Sequence, residues 1–172
     1  ICNDAGARVL FVDAANIKMA KSCDFASVVQ IIEFGTQYED WLAGANLNQS
    51  IPSVAECLPF TIPYTSGTTG RPKGVLISSR SRVLTFFSMG IEYGCFSSRD
   101  RFLAIAPLCH GAGMAFALAS VYFGGYTHFL DSFDPENVLR ELSADRISGV
   151  FMVPTHFHAI FALEPKLLAA LQ

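Results

Sequence analysis

A continuous apolar run, Ala7–Asp13 (ARVLFVD), lies near the start of the chain, and Val28–Phe34 reads as another strand. A run like the first, dense in Val and Leu and lacking polar alternation, is what a strand covered on both faces requires. Between and after them, Asn16–Ser22 reads as a short helix and Gln37–Ala43 as a helical turn. Gly44–Pro59, with its Asn, Ser and Pro, reads as a loop. Phe60–Thr65 and Gly74–Ser78 are strands on either side of a glycine-rich segment, and Ser79–Tyr93 is a helix stopped at Gly94. From there strand and helix alternate: strand Phe102–Pro107, helix Gly113–Phe123, strand Tyr126–Leu130, a helix to about Asp145, strand Ile147–Val153, helix Thr155–Leu163. The helix ending near Asp145 has a complete start signal, with Asp134 as N-cap, Pro135 at the first position and Glu136 in the first turn. The pattern predicts an α/β fold, a largely parallel sheet with flanking helices built from successive βα units.

The glycine-rich segment, Tyr64-Thr-Ser-Gly-Thr-Thr-Gly-Arg-Pro-Lys-Gly-Val75, concentrates the chemistry. Gly67, Gly70 and Gly74 permit backbone angles and close approaches that a Cβ obstructs. Ser66, Thr68 and Thr69 supply hydroxyl donors, and the loop N–H groups can form an anion-holding concavity. Lys73 adds a mobile point charge suited to a terminal phosphate, and Pro72 stiffens the approach to it. Together they describe a polyphosphate clamp. It is not the common P-loop, which needs Gly directly before Lys where this chain has Pro72. A solvated turn between strands is the plainer reading, but such turns seldom combine three hydroxyls, three glycines and a lysine directly after an apolar run.

This string resembles the phosphate loop of the adenylate-forming superfamily, which comprises acyl- and aryl-CoA ligases, adenylation domains of peptide synthetases, and luciferases. Residues 64–75 match that pattern throughout. Pro107-Leu108-Cys109-His110-Gly111-Ala112-Gly113 is similar to the Pro-Leu-aromatic-His-x-x-Gly/Ala segment that these enzymes place beside the acyl substrate. Val153-Pro154-Thr155 is similar to a third family segment at a strand end. Two departures stand out. Ser78-Ser79-Arg80-Ser81 replaces a Ser/Thr-His-Arg-Asn-like tetrad, and Cys109 replaces the commoner aromatic, which would reshape the acyl pocket.

The resemblance implies part of the large N-terminal domain of an ATP-dependent carboxylic acid–CoA ligase, an acid–thiol ligase of the fatty acyl-CoA synthetase kind. Such an enzyme forms an acyl-adenylate and then a thioester, using ATP, Mg2+ and CoA. Carried over residue by residue, Thr65, Ser66, Gly67, Thr68, Thr69, Gly70 and Lys73 hold the ATP phosphates, with Thr68 or Thr69 within reach of Mg2+. His110 orients or gates the substrate carboxylate, and with Gly111, Gly113 and Met114 it lines the substrate pocket. The fatty-acyl preference rests on the small apolar run Gly111-Ala-Gly-Met-Ala-Phe-Ala, which also reads as core helix packing. Two alternatives stay open: a peptide-synthetase adenylation domain, and a nucleotide- or phosphate-binding module without catalysis. The family's Tyr-Gly-x-Thr-Glu, Thr-Gly-Asp and C-terminal lysine are not in the sequence. Residues 1–172 are therefore expected to form one partial domain of a larger enzyme, a βα segment over 1–59 and a phosphate-loop and acyl-pocket segment over 60–172. By itself such a piece is expected to be inactive and prone to self-association through faces that meet the remainder.

Composition narrows the picture further. Hydrophobic content of 51% with 16% charged residues is apolar even for a globular core. A net charge of −3 argues against a general nucleic-acid surface. Arg71, Lys73, Arg80, Arg82, Arg99 and Arg101 nevertheless gather near the glycine-rich segment, where most read as solvated. Five cysteines without C-x-x-C spacing point to reduced, cytoplasmic thiols. His156 and His158, placed after Pro154, open a helix and do not form a metal pair. Residues 102–130 carry no Lys, Arg, Asp or Glu, but Pro107, Gly111, Gly113, Gly124 and Gly125 interrupt them, so no membrane span is expected.

Overall fold

The computed structural model describes residues 1–46, 49–50, 52–67, 70–144 and 146–170. The chain divides into two compact units, Ile1–Leu76 and Ile77–Gln172. The first holds α1 (Cys2–Ala5), β1 (Val9–Val12), α2 (Ile17–Ser22), β2 (Gln30–Glu33), α3 (Thr36–Ala43), β3 (Pro59–Thr61), β4 (Tyr64–Thr65) and β5 (Lys73–Gly74). β1 and β2 pair in parallel from Val9↔Gln30 to Val12↔Glu33, so both opening segments are strands. The expectation of cover on both faces fails for β1, where Val9 is 36% and Phe11 38% exposed, whereas Ile32 of β2 is fully buried. A two-stranded sheet has too few neighbours to close both faces. Phe11 instead packs edge-on against Tyr38 and Trp41 of α3, with ring centroids 5.7 and 5.3 Å away. α1, which the sequence pattern did not announce, ends on Gly6 at φ 65. Its Asn3 side chain donates to Asp24 O and accepts from the Ala26 N–H, which ties α1 to the segment before β2.

The second unit holds β6 (Ile77–Ser78), α4 (Ser79–Tyr93), β7 (Arg101–Ala104), α5 (Gly111–Tyr122), β8 (Tyr126–Phe129), α6 (Pro135–Ala144), β9 (Gly149–Val150), α7 (Pro154–Phe161) and α8 (Pro165–Ala170). Its sheet has the order β8-β7-β9, and both pairings are parallel. Alternation along β7 sends neighbouring side chains to opposite faces. Phe102 joins Phe86 and Met89 of α4 and Ala115 and Ala119 of α5. Leu103 and Ile105 join Val138 of α6 and Ile160 of α7 on the other side. The predicted βα succession is therefore present, with helices on both faces of a parallel sheet.

Caps explain the helix starts. Ser78 Oγ accepts from the Ser81 N–H at 3.1 Å ahead of α4, and Asp134 Oδ1 accepts from the Asn137 N–H at 2.8 Å ahead of α6. α4 stops at Gly94 with φ 63, as its sequence position suggested. α6 is described through Ala144, and Asp145 lies outside the described residues. Boundaries differ elsewhere. The strand expected over Ile147–Val153 is reduced to Gly149–Val150, which pairs only with β7. α8 lies beyond the last helix the pattern gave. Two arginines expected in solvent are not there: Arg82 is 6% exposed on α4, and the Arg101 guanidinium lies 4.2 Å from the ring centre of Tyr126, its partner across the β7–β8 ladder.

The turn entering β7 carries an acid-sensitive contact. Ser97 Oγ donates to Asp100 Oδ2 at 2.5 Å, and this bond, with a second from Ser148, holds the Asp100 carboxyl below its ordinary value of 3.8. A depressed carboxyl stabilises the fold above its unfolded pKa, and that contribution is lost as pH falls through the folded one. Asp100→Asn is thus expected to flatten the acid limb of the thermal-unfolding midpoint below about pH 4. An unchanged acid limb in the variant would remove Asp100 from this account.

Candidate functional site

The glycine-rich segment of the first unit is the turn of an antiparallel hairpin, with Tyr64 opposite Gly74 and Thr65 opposite Lys73. The Val75 N–H donates to Pro63 O at 3.0 Å and extends the pairing by one step. Thr65, Ser66, Gly70 and Lys73 are all exposed. Gly67 is required twice over: its φ is +63, and a Cβ there would stand 2.4 Å from Arg71 O. Gly70, at φ +79, donates its N–H to Gly67 O at 3.4 Å. Thr68 and Thr69 lie outside the described residues. The Lys73 stem runs beside Gly67, with Cγ 3.7 Å from where that Cβ would be. Lysine, hydroxyls and backbone N–H groups are thus gathered at one exposed turn, a chemistry suited to anions.

Tyr64 supports this turn from below. A Cβ on Gly74 would stand 2.9 Å from Tyr64 Cζ, so the hydroxyl end of the ring lies close against that glycine. The Tyr64 hydroxyl donates to Asp4 Oδ2 at 2.6 Å, and this hydrogen bond pushes the phenol above its ordinary value.

In the second unit, His110 is the exposed N-cap residue of α5. Its N–H donates to Pro107 O and its carbonyl accepts from the Met114 N–H, both at 3.0 Å. Gly111 is exposed, Met114 half-buried and Gly113 buried. A Cβ on Gly113 would meet Pro107 O at 2.5 Å and Ala106 O at 3.1 Å, so only glycine lets α5 sit this close to the end of β7. The structure therefore brings Thr65, Gly67, Gly70 and Lys73 together in one unit, and His110, Gly111, Gly113 and Met114 together in the other.

A cavity of 540 Å³ lies at the carboxyl ends of β7 and β8, and sequence reasoning, which looked to the ends of Phe102–Pro107 and Ile147–Val153 for a cleft, missed the part played by β8. Residues 104–108, residues 129–133 and His156 line it, and His110, Gly111, Gly113 and Met114 are not among the lining residues. The available signal was positional: ligands of open α/β sheets gather beyond carboxyl strand ends, and the turn after Tyr126–Leu130 is such a place. His156 does open a helix, α7, where its Nδ1 accepts from the Val153 N–H at 3.4 Å. Among the described residues, no group of three or more His, Cys, Asp or Glu is placed to hold a metal ion. Among the same residues, no helix is long and apolar enough to cross a membrane.

Residues 1–172 match the AMP-binding enzyme family along their whole length. The chain belongs to that family. It is 33% identical, over an alignment of 175 positions, to a medium/long-chain-fatty-acid–CoA ligase, FadD8, of Mycobacterium tuberculosis. The alignment takes in 93% of the chain and 30% of that ligase. A 4-chlorobenzoate–CoA ligase of a Pseudomonas species is 38% identical over 102 residues, 56% of the chain and 19% of its own length. Among solved structures, the N-terminal domain of FACL13 from Mycobacterium tuberculosis superposes with a TM-score of 0.87 at 20% identity, over 99% of this chain and 43% of that one. The α/β architecture is therefore that of the N-terminal domain of adenylate-forming enzymes. The AMP-binding chain spans less than a third of the two curated relatives named here.

Proposed function

We propose that this chain is part of an ATP-dependent carboxylic acid–CoA ligase acting on fatty acids, in which 1–172 is one partial domain. Its substrates are ATP, a carboxylic acid and CoA, and its setting is cytoplasmic. The carboxylate attacks the α-phosphorus of ATP, pyrophosphate leaves, and the CoA thiol then displaces AMP from the acyl-adenylate. The protein's task is to orient two anions and to neutralise charge on the leaving pyrophosphate. The observation that carries this reading is the hairpin that sets Lys73 opposite Thr65 and folds at Gly67.

In this reading Thr65, Ser66, Gly67, Gly70 and Lys73 contact the phosphates, together with Thr68 and Thr69, one of which reaches Mg2+. His110 orients the acid, in a pocket begun by Gly111, Gly113 and Met114. The chemistry of these groups suits ATP: a lysine charge and backbone donors for anionic oxygens, and threonine hydroxyls as hard oxygen ligands for the cation. Exposed Leu84 and Phe87 on α4, with Ile91 at 84%, support self-association of the chain. The similarity to a fatty-acid ligase over 93% of the chain favours an alkyl acid over the aryl alternative.

The test is pyrophosphate exchange by the full-length parent with a panel of fatty, aryl and amino acids. Exchange with fatty acids is expected. Exchange with amino acids alone would indicate a peptide-synthetase adenylation domain, and no exchange with any acid would leave a binding module without catalysis.

A further inference from the structure

The cavity at the carboxyl ends of β7 and β8 has a lining unlike that of a phosphate or carboxylate site. Ile105, Leu130 and Phe133 belong to the hydrophobic cluster on the α6–α7 side of the sheet and form its apolar part. Ala106 also lines it, with its Cβ turned toward Gly113 of α5. The His156 ring lies on Phe133 with centroids 4.4 Å apart and planes 22° from parallel. Because the Val153 N–H donates to Nδ1, that ring is held in orientation by the backbone and serves as a fixed flat wall. Asp131 also lines the cavity, and among the described residues no Lys or Arg does. The volume, 540 Å³, is in the range of small-molecule sites.

We propose that this cavity binds an arylalkyl ammonium ion, its ring against the His156–Phe133 stack and its ammonium group at Asp131. Each part follows from the lining. A planar wall favours an aromatic body, since offset-stacked rings gain beyond simple area burial. An apolar floor gives the ring somewhere to desolvate. A carboxylate without a cationic neighbour in the lining favours a positive head group and disfavours an anion. The ligand is thus of opposite charge to the acids and nucleotides of the proposed ligase reaction, and the site stands whether or not that reaction is confirmed.

Three probes with one ring and similar chains separate the terms: phenethylamine, 2-phenylethanol and 3-phenylpropionate. Each is titrated into the full-length parent by calorimetry, with ligand-observed NMR as a second readout. The amine is expected to bind most tightly and the acid most weakly. Asp131→Asn, at an exposed position, is expected to weaken the amine by about threefold to fivefold, the range of a solvent-facing charge pair, and to leave the alcohol unchanged. An amine that binds no more tightly than the alcohol, or an amine affinity that Asp131→Asn leaves unchanged, overturns the proposal.

Discussion

Lys73→Ala in the full-length enzyme is expected to slow acyl-adenylate formation by about 10²–10³-fold, the usual cost of removing one preorganised donor from a site where charge develops. The fold should be unaffected. Lys73 is exposed on β5, and replacing an exposed side chain that fills no core costs within about 0.5 kcal/mol. Backbone N–H groups of the turn remain, so ATP binding should weaken less than the rate falls. Lys73→Arg should recover part of the rate, because charge is kept while the compact ammonium is replaced by a planar fork. Single-turnover measurement of acyl-adenylate, alongside a thermal-unfolding curve, separates the two effects. A Lys73→Ala enzyme that forms adenylate at the native rate would mean that the turn does not carry the pyrophosphate.

Gly113→Ala is expected to lower the unfolding midpoint of the second unit by about 10 °C, and Gly111→Ala to leave it nearly unchanged. The two glycines are two positions apart on the same helix, but their surroundings differ. At Gly113 a methyl group would meet a backbone carbonyl at 2.5 Å, whereas at Gly111 it would find nothing within 4 Å. Overpacking a core costs about 1–3 kcal/mol, and the Pro107 carbonyl, backbone held by the His110 N–H, cannot swing aside as a side chain can. At about 4–8 °C per kcal/mol for a unit of this size, the shift is easily resolved by calorimetry. Equal midpoints for the two variants would show that α5 can back away from β7 at little cost, and would remove the close approach as a structural requirement.

What the sequence made legible was the part governed by local rules. Asp134 and Pro135 announced α6, Gly94 marked the end of α4, and the segments ending at Asp13 and Phe34 became paired strands. Gly67 was readable as a turn residue, and the structure gives it both a positive φ and a contact that excludes a side chain. Strand length was less legible because it depends on neighbours. β9 keeps only Gly149 and Val150 in its ladder, as a strand bonded on one side, and β1 leaves Phe11 half in solvent. The fate of Arg82 was hidden for the same reason, since burial on α4 follows from what packs over the helix and not from its own sequence. The cavity beside His156 was the least legible feature. Its walls come from stretches that no motif joins, residues 104–108 and 129–133. Only the parallel pairing of β7 with β8 makes them neighbours.

The seat of Gly113 on Pro107 O turns the connection from β7 to α5 into a spacer of fixed length. Side chains along it can vary only where they point away from that contact: Leu108, Cys109 and Ala112 are exposed, and the backbone that carries them is held at both ends. A mutant library built on this connection would therefore diversify those three positions. Insertions between Pro107 and Gly113 would be left out, since every added residue would have to unseat the helix first.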